Sequence, residues 1–134
     1  MTKRAIVPPG LKEAAARARM SPAILSGTHL FLTGVTGGDA QGIMPAEPEA
    51  QIRNAFTKIG MVLHEAGLTF EAIVEMITYH VGLRDHFELF DAIRLEHLAE
   101  PTPAWTAVEV AGLRREGAVV EIRVIASTEP GGGA

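Results

Sequence analysis

The chain has 134 residues, with twelve Lys plus Arg against sixteen Asp plus Glu, five His and no Cys. The missing cysteine excludes a disulfide framework, a thiolate zinc site and a cysteine nucleophile, and predicts a reducing, cytoplasmic setting. A net charge of -4 has the wrong sign for collecting phosphate backbones, 47% hydrophobic residues mark a globular chain, and no apolar run approaches the roughly 20 residues that cross a bilayer, so neither nucleic acid nor membrane is expected as a partner.

Arg4 to Val7 reads as a short leading strand, ended by Pro8-Pro9-Gly10. Leu11 to Met20 is rich in alanine and arginine with small, badly spaced apolar positions, so residues 1–20 are expected to be a strand and a loop or irregular helix. Ile24-Leu25 and His29 to Thr33 flank Gly27-Thr28, the pattern of a hairpin. Gly34 to Pro48 carries four glycines and two prolines and reads as a long loop.

From Glu49 to Ala66 the residues Ile52, Ala55, Phe56, Ile59, Val62, Leu63 and Ala66 recur every three or four positions, which predicts an amphipathic helix closed by Gly67. Val74 to Leu83 alternates as a half-buried strand, with Ile77, Tyr79, Val81 and Leu83 on one face and Met76, Thr78, His80 and Gly82 on the other. Asp85 and Glu88 have capping-box spacing for a second helix that runs to about Ala99. Trp105 to Val110 and Val119 to Ala126 are the last strands, and residues 127–134, with Gly131 to Gly133, are expected to be a flexible tail. Strands alternating with two helices predict one α+β domain over 1–134, with a mixed sheet whose parallel strands are joined through helices packed on one face.

In the last strand Val120, Ile122 and Val124 oppose Glu121 and Arg123, so the apolar set lies under the helices and the charged pair lies on the other face. That face is either wet, with a solvated ion pair, or covered by another subunit to form a pocket with a charged floor. Trp105, Ala107 and Glu109 share a face of the preceding strand. His80 sits with Thr78 on the polar face of its strand, as a half-exposed histidine or a proton shuttle. The five histidines show no paired metal-ligand spacing, and no metal or cofactor is expected. Gly34-Val35-Thr36-Gly37-Gly38 follows a strand but has no phosphate-loop lysine.

Phe31-Leu32-Thr33-Gly34, the helix ending in Glu65-Ala66-Gly67-Leu68, Pro103-Ala104-Trp105-Thr106-Ala107-Val108-Glu109-Val110 and Val120-Glu121-Ile122-Arg123-Val124-Ile125-Ala126 together resemble the RidA/YjgF reactive-intermediate deaminase family, also labelled endoribonuclease L-PSP. The resemblance implies a chorismate-mutase-like fold assembled as a homotrimeric barrel, with small-molecule clefts between subunits. It also implies hydrolysis of enamines or imines, with Glu121 matching the glutamate that positions water and Gly34 the glycine after the second strand. The family's carboxylate-binding arginine is Trp105 here, the usual cysteine two residues on is Ala107, and the tyrosine before the second strand is Ala23. This implies altered specificity in a cleft shaped by Trp105, Gly34, Arg123, Ala107 and His80, with Arg123 either binding ligand or pairing with Glu121 or Glu109. The rival readings are a trimeric binder without turnover and an RNA-cleaving translation inhibitor, the latter opposed by the charge.

Overall fold

A computed structural model describes residues 2–129. Its elements are β1 (Arg4–Ile6), α1 (Lys12–Ala18), β2 (Ala23–Ser26), β3 (His29–Leu32), α2 (Pro48–Glu65), β4 (Ile73–His80), α3 (Leu83–His97), β5 (Ala104–Glu109) and β6 (Val120–Ser127). The strands form one six-stranded sheet in the order β1-β2-β3-β6-β4-β5. β4 and β5 are parallel and the other neighbours antiparallel. β3 and β4 both run antiparallel to β6, so they are parallel to each other, and α2 and α3 each complete a crossover between parallel strands.

α2 forms where its sequence is most periodic. Pro48 at the start needs no amide partner, Glu49 meets the positive helix end, and Gly67 (φ 76°) turns the chain out, with Leu68 donating back to the Leu63 carbonyl at 2.8 Å. Ile52, Ala55, Phe56, Ile59, Val62 and Leu63 are buried against Leu30, Leu32, Val120, Ile122 and Val124. Each large side chain so covered contributes roughly 1.5–3 kcal/mol, which fixes α2 on that face of the sheet.

Four local expectations are corrected. Residues 12–18 form the helix α1, which has no buried residue and draws its helicity from the run Lys-Glu-Ala-Ala-Ala-Arg-Ala. α3 starts at Leu83 with Gly82 (φ 72°) as its cap, so Asp85 and Glu88 form no capping box; Glu109 of β5 instead accepts the Leu83 amide at 3.1 Å. The tail begins later than residue 127, because Ser127 ends β6 and the Thr128 amide donates to Thr28 O at 2.8 Å; Gly131 to Gly133 lie outside the described residues.

The fourth correction concerns the phase of β4. Met76, Thr78 and His80 pair with Val124, Ile122 and Val120 of β6 and share their helix-covered face, which leaves Ile77 and Tyr79 on the open one. A register shift between Ile73 and Glu75 sets this phase, since a one-residue offset exchanges the faces of every following side chain.

Candidate functional site

Glu121 and Arg123 lie on the open face, as their alternation with Val120, Ile122 and Val124 requires. After β3 the chain continues past Gly34 and Val35, and Val35 exchanges two 2.9 Å backbone hydrogen bonds with Ile122. That bridge brings Gly34 against the Glu121 side chain. A β-carbon at Gly34 would collide with Oε2 of Glu121 and stand 3.1 Å from its Cδ, so only glycine gives the carboxylate this seat. Across the strand pair Tyr79 stands opposite Glu121 and Ile77 opposite Arg123. Among the described residues neither Glu121 nor Arg123 makes an ion pair, so the salt bridge to Glu121 or Glu109 is not formed within the chain. Glu109 in any case lies on the other face, opposite His80.

Trp105, Ala107 and Glu109 pair with Met76, Thr78 and His80, which places them on the helix-covered side, away from Glu121. The indole stacks on Phe87 of α3 at 5.6 Å and 3° and packs against Phe90 at 5.5 Å. Its Nε1 donates to Thr78 Oγ1 at 2.9 Å, and the Arg94 guanidinium stands 4.4 Å from the ring centroid while Nε of Arg94 bonds Asp91 at 2.7 Å. A cation supplied by α3 therefore stands beside the tryptophan ring.

His80 is fully buried, which corrects its expected half-exposed place and removes it from the face of Glu121. Its Nε2 bonds Thr78 Oγ1 at 2.7 Å and its Nδ1 bonds His86 Nε2 at 3.0 Å. One chain of hydrogen bonds thus links Trp105, Thr78, His80 and His86. Burial, reinforced by the neighbouring His86, pushes His80 down to about 4, and burial also lowers His86 against the opposing pull of Asp85. Both imidazoles are neutral at pH 7. Among the described residues no group of His, Asp and Glu is arranged to hold a metal ion.

The loops around Gly34 are held by a residue that sequence patterning gave no reason to single out. Gln51, fully buried, donates to the carbonyls of Pro45 (2.7 Å) and Gly117 (3.0 Å) and accepts from the Val119 amide (2.8 Å). Gly37 packs so tightly on its backbone that no side chain fits, and Asn54 donates to the Gly37 carbonyl at 3.0 Å. α2 is therefore the frame for both the loop after β3 and the loop before β6.

The profile of the family described as endoribonuclease L-PSP matches residues 11–128. The chain belongs to this RidA/YjgF family. It is 35% identical over 125 residues to the RutC family protein YjgH of Escherichia coli (strain K12), a match covering 92% of this chain and 94% of that one. A solved structure of protein YJGH superposes with a TM-score of 0.88 at 34% identity, over 97% of this chain and 99% of the other. RidA from an Antarctic Psychrobacter is similar at 29% identity and a TM-score of 0.75, over 80% and 86%. These matches bear out the α+β fold read from the element order. Among the described residues no helix is long and apolar enough to cross a membrane.

Proposed function

We propose that this RidA/YjgF member hydrolyses a small imine or enamine, with a specificity different from that of its arginine-bearing relatives, and that it does so as a homotrimer. The observation that carries the proposal is the seat of Glu121: its carboxylate rests against Gly34 on the open face, with no cation among the described residues bonded to it. Such a carboxylate can hold a water and take its proton as the oxygen attacks the imine carbon. The resulting carbinolamine expels ammonia as the carbonyl forms, so that imine and water give ketone or aldehyde and ammonia.

Trimer formation is supported by what the open face carries. Phe31 (39% exposed) and Val108 (37% exposed) flank Ile77, Ile125, Glu121 and Arg123, and β5 offers an unpaired strand edge. Trp105 and Glu121 lie on opposite faces of one chain, so a cleft containing both needs two copies. In that cleft the uncharged indole replaces the bidentate carboxylate anchor, which favours a substrate other than a simple imino acid. Arg123, without an ion pair among the described residues, is an open-face cation available to such a ligand, and Ala107 widens the space beside Trp105.

Ammonia release from a panel of enzymatically generated imino acids and neutral imines, with Glu121→Gln as control, tests the proposal. Saturable ligand binding without ammonia release from any of them would favour the non-catalytic binder instead.

A further inference from the structure

We infer that the chain has a second binding site, for a small organic carboxylate with an aliphatic body, in a cavity between α1, α2 and the Thr33–Thr36 segment. The cavity has a volume of about 340 Å3, and its walls combine apolar residues, among them Ala15, Ala18, Val35 and Val62, with the cations Lys58 and Arg115. Glu121 is not one of its walls; Gly34, on which the Glu121 carboxylate rests, is, so the cavity borders the site proposed above, but its two cations take no part in that reading.

Two cations share this cavity, and the one carboxylate that acts on Lys58, Asp39, is not in ion-pair contact with it. Among the described residues neither Lys58 nor Arg115 makes an ion pair, and the Lys58 ammonium makes no hydrogen bond. Arg115 uses Nη2 on the Gly42 carbonyl and keeps its other donors. Asp39 favours the charge on Lys58 from nearby, but its Oδ1 already accepts the amides of Gln41 and Ile43 at 2.9 Å each. Burial first, and then the charge of the exposed Arg115, push the half-buried Lys58 below the ordinary lysine value.

The scaffold fixes the backbones from which these two side chains reach into the cavity. Lys58 stands between the core residues Phe56 and Ile59 on α2, and Arg115 belongs to the loop that Gln51 grips through Gly117 and Val119. An anion between them would relieve their repulsion and gain charge-assisted hydrogen bonds. The hydroxyl residues Ser21, Thr33 and Thr36 also line the cavity, but its larger apolar wall favours an aliphatic chain, which gains from burial there, over a strongly hydrated inorganic ion.

Calorimetric titration with sodium hexanoate, hexanamide and sodium phosphate at matched ionic strength tests the site. Hexanoate is expected to bind saturably, hexanamide at least about tenfold more weakly, and Lys58→Met and Arg115→Met to lose about tenfold each, the worth of one charge-assisted hydrogen bond. Lys58→Arg should retain binding, Ala15→Trp should abolish it by filling the cavity while leaving both cations, and Glu121→Gln should bind as the parent does. Absence of hexanoate binding, equal binding of hexanamide, binding of phosphate alone, or undiminished affinity in Lys58→Met with Arg115→Met would each overturn the assignment. Loss of ammonia release in Glu121→Gln with hexanoate binding intact separates this site from the proposed hydrolytic one.

Discussion

The two faces of the sheet treat polar groups in opposite ways. Beneath α2 and α3, Gln51, Thr78, His80 and His86 are buried, and among the described residues no buried side-chain nitrogen or oxygen lacks a partner. On the open face Glu121 and Arg123 make no ion pair among the described residues, although they lie only two residues apart. Polar residues of the covered face are structural, since an unsatisfied buried group costs about 1–3 kcal/mol. Those of the open face are free to meet something from outside. The same residue types thus serve as scaffold on one side and stand open to a ligand or partner on the other.

The largest effect should come from the covered side. Gln51→Leu removes three hydrogen bonds and strands the Val119 amide, so denaturant unfolding should show a loss of about 4 kcal/mol. Next is His80, whose folded value of about 4 lies below the ordinary 6.5. Between those two pH values the unfolded chain takes up a proton that the folded one refuses, so stability is complete above pH 6.5 and falls by up to about 3 kcal/mol as pH drops to 4. The difference in unfolding free energy between the parent and His80→Gln, followed from pH 7 to 4, should reveal that slope.

Gly34→Ala brings a methyl group into the Glu121 carboxylate and should cost about 2 kcal/mol in thermal unfolding, with a matching fall in any ammonia release. Trp105→Phe keeps the stack on Phe87 but loses the bond to Thr78, and should lower stability by about 1 kcal/mol in the same experiment. An equal or larger cost from Gly34→Ala than from Gln51→Leu would erase the contrast between the two faces.

Much of the covered face was legible in the sequence. α2 announced itself because Ile52, Phe56, Ile59 and Leu63 repeat at helical spacing, and β6 because Val120, Ile122 and Val124 alternate with two charges. β4 was misphased because it is apolar on both sides and polar where it is buried; the partners that make Thr78 and His80 tolerable there come from β5 and α3. α1 has no apolar stripe to read, so only composition signals it. For the candidate site, alternation alone places Glu121 and Arg123, but it does not show that Tyr79 shares their face, which depends on the register of β4 against β6. The face of Trp105 depends on the parallel register with β4, which pattern within one strand cannot supply.

The central claim, that Glu121 is a free carboxylate serving chemistry and not structure, is tested most directly by one comparison on Glu121→Gln. Ammonia release, melting temperature and light-scattering mass are measured on the same preparations of parent and variant. The amide has almost the same shape but cannot accept the water's proton, so kcat should fall at least about a hundredfold while Tm and trimer mass stay within error of the parent. A lowered Tm or a dissociated trimer with unchanged turnover would contradict it and make Glu121 part of the frame.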